Sequence, residues 1–267
     1  MAKVILDAGH GGNILGSIYN GRYEKNDNLN LALEVGKILS ENGVEVNYTR
    51  TSDVYLSPIE RIEKANQEGA DLFVALHRAD SPFPDALTGV RASVYKEEGL
   101  AEEASENILE NLVAIGFNSF EIRLVQDYVI LSNANMPALM LDVGFINSSY
   151  DNEIFDTRFH DIAKAIASGI LDTLGIQNIK TTRWMEDNRR ILDPLGPRYR
   201  VQVDIFRAYN DALNLQNQLL QLKFSAEIVP QRGYYAIHVG DYSSLDEAVW
   251  LERILRFEGY NTLLIAL

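Results

Sequence analysis

The sequence predicts an α/β protein. Its N-terminal part reads as a three-layer domain, a mostly parallel or mixed sheet flanked by helices. Its C-terminal part reads as a small α+β domain of βαββαβ, ferredoxin-like form. Three observations predict this. Short apolar runs alternate with helical patterns up to residue 176, as strands and their covering helices do. A polar stretch ending in Pro194-Leu195-Gly196-Pro197 then breaks the pattern. Beyond it, strand–helix–strand occurs twice, with Val201 matching Ile237, Val203 matching Val239 and Leu219 matching Leu255. The expected division is an α/β domain at 1–176, a linker at 177–198 and a repeat domain at 199–267.

The elements follow in order. "KVILDA" is a buried strand, and "NLNLALEVGKILSENG" has helical apolar spacing that stops at Gly43. "VEVNYTR" is a strand, and "SPIERIEKANQEG" is a helix opened by Ser-Pro. "ADLFVALH" is a buried strand ending in His77, and "GVRASVYK" is another. "LAEEASENILENLVAIG" is a helix. "DYVILSNANMPALMLDVGFIN" holds two apolar, strand-like segments around a turn, and "FHDIAKAIASGILDTLG" is a closing amphipathic helix. In the repeat domain, alternation puts Val201, Val203 and Ile205 toward the helices. Gln202, Phe206, His238 and Tyr242 then face the other way. That polar and aromatic face suits a carbohydrate or peptide ligand as well as plain solvent.

Composition narrows the function. The 267 residues are 46% hydrophobic, enough for a real core. A net charge of −14 lacks the basic footprint that nucleic acid requires. With no cysteine, disulfides, thiolate metal ligands and a cysteine nucleophile are excluded. No apolar run approaches the ~20 residues of a membrane span. The chain opens in a strand with no signal-peptide pattern. The expectation is synthesis in the cytoplasm and action elsewhere only after lysis or release.

Two of the four histidines carry the chemistry. His10 and His77 end predicted buried strands, the edge where sites gather in open α/β sheets. Glu24 waits at a helix start. Two histidines and a carboxylate with one open position make a zinc set free of cysteine. The competing reading is a loop histidine and a capped strand end. Asp7, three residues before His10, is placed to orient it as a hydrogen-bond acceptor. Arg78 can meet substrate carboxylates, pair with Asp80 or stay solvated. Glu121 is read as a solvated acid near the cleft, His160 as a packing or capping residue on its helix, and His238 as touching ligand or solvent.

Taken in order, "VILDAGHGG", "EKNDNLNLA", "ADLFVALHRADS" and "MPALMLDVGFINSSYD" resemble the motifs of zinc-dependent N-acetylmuramoyl-L-alanine amidases across residues 2–175. The resemblance implies that His10, Glu24 and His77 bind Zn2+. The family's catalytic glutamate falls on Asp142, a carboxylate one methylene shorter. The repeat is similar to SPOR domains, small modules that bind peptidoglycan glycan stripped of stem peptides. Together the two parts resemble the mother-cell lytic amidases of spore formers. The implied reaction cleaves the amide between N-acetylmuramic acid and the L-alanine of the stem peptide. The implied partners are the stem peptide and glycan strand of peptidoglycan, and a monomer suffices. The alternative is a catalytically attenuated or inactive homologue that only binds cell wall. A different metallohydrolase would need further bridging carboxylates, and none is evident.

Overall fold

The structure is a computed structural model that describes residues 2–96, 98–176, 198–231, 233–242 and 245–266. The expected linker, 177–198, lies almost wholly outside the described residues.

The first strands are buried runs of aliphatic residues, β1 (Lys3–Ala8) and β5 (Leu72–Ala79). They pair in parallel, with β4 (Glu45–Tyr48) on the outer side of β1 and β8 (Ala138–Phe145) on the inner side of β5. β6 (Val90–Val94) runs antiparallel to β8, and β7 (Ser119–Leu124) runs parallel to β6. The sheet is therefore mixed. A two-stranded ribbon, β2 (Ile18–Tyr19) with β3 (Arg22–Tyr23), leads into α1 (Glu24–Glu41).

Helices cover both faces. One core joins α1, α3 (Leu100–Ala114) and α6 (Phe159–Thr173) to the sheet through Leu31, Val35, Ile108, Ile166 and Leu139. The other core is smaller, with Ile5, Phe73 and Ala75 beneath α2 (Pro58–Glu68) and α4 (Val129–Ser132). Ser57 caps α2 in a capping box with Glu60, and Pro58 opens the helix. Two features differ from expectation. "YVILS" forms the short helix α4 instead of a strand. An extra helix, α5 (Ser149–Thr157), precedes α6, capped by the Ser148 side chain.

The repeat domain is β9 (Tyr199–Phe206), α7 (Tyr209–Gln221), β10 (Ala226–Gln231), β11 (Tyr234–Tyr242), α8 (Leu245–Phe257) and β12 (Leu263–Ala266). Val201, Val203, Ile237 and Val239 pack against the helices as their alternation requires. Register irregularities change the rest. Gln202 lies opposite His238 and Asp204 opposite Ile237, so Val203 is an extra residue. Such a bulge reverses which face the following residues take. Phe206 consequently joins the helix-side core, and so does Tyr242 beyond a second irregularity. Ile205 is not part of that core. Of the four residues expected on the open face, Phe206 and Tyr242 lie on the other side. Gln202 and His238 stay where the alternation put them.

The two domains share one sheet. β12 pairs antiparallel with β9 and also with β7, through Leu264 opposite Phe120 and Ile265 opposite Ser119. The result is a ten-stranded sheet in the order β10-β11-β9-β12-β7-β6-β8-β5-β1-β4.

Candidate metal centre and catalytic cleft

β1 delivers the chain into a tight loop, Gly9 to Gly12. His10 itself takes φ +62°, a left-handed conformation that non-glycine residues avoid. The loop is held from outside by two arginines and a lysine. Arg50 donates to the carbonyls of Ala8 (2.8 Å) and Gly9 (3.0 Å). Arg61, on the buried face of α2, donates to those of Ala8 and His10, both at 2.6 Å. Lys25 donates to the Gly12 carbonyl at 2.8 Å and to Asp53 at 2.6 Å. Buried carbonyls need such partners.

These restraints bring His10, Glu24 and His77 together. His10 Nε2 lies 3.1 Å from Glu24 Oε2, and His77 Nδ1 lies 3.0 Å from Glu24 Oε1. The two rings stand edge to face with centroids 5.0 Å apart. One ligand atom from each residue lies within 4.8 Å of the others, and no further cluster of this kind occurs among the described residues. Glu24 opens α1, where the helix N-terminus favours a negative charge. It also accepts from Ser17 N (2.8 Å), Arg78 N (3.1 Å) and Asn28 Nδ2 (3.2 Å). Burial alone would raise its carboxyl, but the hydrogen bonds and charges of His10 and His77 win and hold it far below the usual range. Burial would lower His77, but Glu24 outweighs it and the imidazole is raised. Two nitrogen donors around an ionised carboxylate fit a Zn2+ or similar divalent cation.

Asp142 sits beside this cluster. In register it is opposite His77 on β5 and opposite Arg91 on β6. Arg91 donates to Asp142 Oδ2 from Nε (3.1 Å) and Nη2 (2.8 Å), and its guanidinium lies over the Phe145 ring at 4.9 Å. The cleft in front of the cluster has a volume of about 480 Å³. His10 and His77 line it with Ile14, Tyr55, Tyr128 and Arg61. Burial, then the charges of Asp142, Glu24 and Asp7, raise the Tyr128 hydroxyl, so it stays a hydrogen-bond donor.

Several expected roles fall elsewhere. Asp7 does not touch His10. It accepts from Thr49 Oγ1 and, at 2.8 Å, from Arg61 Nη1, so it reaches the histidine only through the arginine that holds the His10 carbonyl. Arg78 faces away from the cleft. Its fully enclosed side chain bonds Asp27 Oδ2 (2.6 Å) and Asn152 Oδ1 (2.8 Å) and stacks over Phe155. Burial pulls it down to about 10 despite Asp27. Glu121 is neither solvated nor in the cleft. It is buried in ion pairs with Arg123 (2.6 Å) and Arg256 (2.7 Å). His160 pairs with Glu34 on α1 at 2.7 Å. Arg50, Arg61, Arg91 and Tyr128 are the site residues that sequence reading missed. Only Arg91 left a trace, as the lone charge between Val90 and Ala92 in an apolar strand.

A mixed sheet between helical layers, with two histidines and a carboxylate brought together beside a cleft, defines an α/β protein whose His10, Glu24 and His77 could hold a metal ion. Residues 4–172 match the family model described as N-acetylmuramoyl-L-alanine amidase, and residues 195–264 match that of the SPOR domain. The chain belongs to the N-acetylmuramoyl-L-alanine amidase family, with a SPOR domain after the catalytic one. It is 29% identical over 188 residues to the sporulation-specific N-acetylmuramoyl-L-alanine amidase of Bacillus subtilis, covering 68% of this chain and 72% of that one. It is 31% identical over 185 residues to an endolysin of Bacillus phage SPP1, covering 66% and 68%. The solved catalytic domain of CwlV, an N-acetylmuramoyl-L-alanine amidase from Bacillus (Paenibacillus) polymyxa, superposes with a TM-score of 0.61 at 29% identity. That match covers 66% of this chain and all of that domain. No helix among the described residues is long and apolar enough to cross a membrane.

Proposed function

We propose that the chain is a zinc-dependent peptidoglycan amidase in which His10, Glu24 and His77 hold the metal and Asp142 moves the proton. The convergence of those three side chains within 4.8 Å carries the reading. When bound, zinc would acidify a water and polarise the scissile carbonyl. The chain's own residues do the rest. Asp142 takes a proton from the attacking water and returns it to the departing amine of L-alanine. Both Arg91 contacts fall on Oδ2, which leaves Oδ1 as the oxygen that carries the proton. Arg91 fixes the carboxylate's orientation. Tyr128 lines the cleft as a donor to the charge that develops on the carbonyl oxygen. The SPOR domain holds the glycan strand from which stem peptides are removed. Catalytic domain, linker and repeat domain are assigned to 1–176, 177–198 and 199–267.

The test is mass spectrometry of peptidoglycan incubated with the zinc-loaded chain and with Asp142→Ala. The parent should release stem peptides with a free N-terminal L-alanine. Asp142→Ala should lose about 10²-fold or more in rate while keeping its zinc. Equal release by both would remove Asp142 from the mechanism. No release by the parent, with zinc bound, would favour a wall-binding homologue without turnover.

A further inference from the structure

The open face of the repeat domain does not look onto solvent alone. Residues 85–88, on the loop after β5, stand over it and enclose a cleft of about 560 Å³ between the two domains. From the repeat domain come Gln202, Gln231, His238 and Ile265, and from the catalytic domain Leu87, Asn118 and Tyr150. A separate aromatic contact joins this loop to the repeat domain. Phe83 of the same loop stacks on Tyr234 with centroids 6.3 Å apart, and the Arg207 guanidinium lies 3.9 Å over the Phe83 ring.

The chemistry of this lining is specific. Its uncharged polar side chains are Gln202, Gln231, Asn118, Thr88, Tyr150 and His238. Its one carboxylate, Asp85, is engaged by the backbone N–H and hydroxyl of Ser149, both at 2.6 Å. His238 is 4% exposed, and its Nδ1 has no hydrogen-bond partner. Its Nε2 lies 3.4 Å from the side-chain amide nitrogen of Gln231. Burial, aided by the charge of Arg200, lowers His238 to about 4, so the ring is neutral.

We propose that this cleft is a composite site for a neutral N-acetylated sugar of the glycan strand, built half by the catalytic domain and half by the repeat domain. Amides and an imidazole match an acetamido group and ring hydroxyls, while Leu87 and Ile265 match its methyl. The cleft's own lining has no lysine or arginine to balance the carboxylates of a stem peptide. The inference rests on the reading of the chain as a peptidoglycan amidase and goes beyond it in making the catalytic domain part of glycan recognition. An open sheet face would bind sugar without any catalytic-domain residue.

Two measurements on the full, zinc-loaded chain test it. Hydrogen exchange is followed with and without glycan strands stripped of stem peptides. Protection should appear together in 85–88 and in the β9 and β11 residues around Gln202 and His238. In co-sedimentation with the same strands, His238→Ala and the double variant Leu87→Ala/Asn118→Ala should each weaken binding about tenfold or more. Protection confined to the repeat domain, or parent-like binding by the double variant, would overturn the composite site. So would absence of binding by the parent, which would leave the cleft to water. Release of stem peptides from intact wall is scored separately. Release without cleft protection defeats this proposal alone, and absence of release defeats the amidase reading.

Discussion

His10 occupies left-handed backbone space, which most loops avoid with a non-glycine residue; the restraints around it explain how the conformation persists. Held residues of this kind cost on the order of 1–3 kcal/mol and survive only when their surroundings over-determine them. Here Arg50 and Arg61 grip three successive carbonyls, Ala8 to His10. Gly9 is fixed by space as well. A Cβ there would lie 2.1 Å from the His77 ring. Gly9→Ala should therefore push His77 off Glu24 and abolish stoichiometric zinc, measured by metal analysis of purified protein, with little loss of secondary structure by circular dichroism. Arg61→Ala should release the His10 carbonyl and leave Asp7 buried without its cation. Such a break costs about 3–5 kcal/mol, which urea denaturation would read as a large drop in midpoint. The residues at strand ends were legible in the sequence because histidine after a buried apolar run is conspicuous. Their supports were not. Arg50 and Arg61 look like surface arginines until the fold turns them inward.

At the level of elements, α5 does what its length does not suggest. Asp151, near its start, is wholly buried and accepts from Phe145 N (2.7 Å) and Gly89 N (2.9 Å), joining the end of β8 to the entry of β6. Burial drives its carboxyl up to about 7 against those two bonds. Asp151→Ala would leave two buried N–H groups unsatisfied, each worth about 1–3 kcal/mol. The expected outcome is a loss of roughly 2–4 kcal/mol in chemical denaturation. Because Arg91 and Asp142 lie on the strands so joined, turnover should fall as well. Strand and helix order in the catalytic domain was readable from apolar periodicity. α4 was not, because "YVILS" is too short to show whether its period is two or nearly four. The bulge in β9 was hidden for a related reason. Alternation carries no mark of an extra residue, so Phe206 and Tyr242 were given to the wrong face.

The whole molecule depends on the seam between β7 and β12. Arg256 of α8 crosses it, donating to the Ile122 carbonyl (2.7 Å), Glu121 (2.7 Å) and Glu252 (2.9 Å). Arg253 adds an ion pair to Glu102 on α3 at 2.8 Å. Burial raises Glu252 to about 7, with the charge of Glu121 adding to it and Arg256 opposing. This acid binds its proton more tightly folded than unfolded. Its contribution to stability is full below about pH 4.5 and is lost as pH rises toward 7. Glu252→Gln should remove that part of the pH dependence and raise the melting temperature at pH 8 by about 2–4 °C. A variant as pH-dependent as the parent would show that Glu252 is ionised throughout. The two-domain plan was legible from the repeat and the break before it. The shared sheet was not, since nothing in "TLLIAL" says that the strand pairs on both edges.

That seam changes how cutting relates to holding. A module on a loose tether would let the blade reach any stem peptide within its swing, and the scars would be scattered. One continuous sheet instead fixes the distance from grip to blade, as on a gauge. Under the proposed grip on glycan bare of stem peptides, each peptide removed lengthens the run that can be held next. Early digests should therefore contain long unbroken tracts of naked sugar beside untouched wall, and sequencing partial products by mass spectrometry would show the stride.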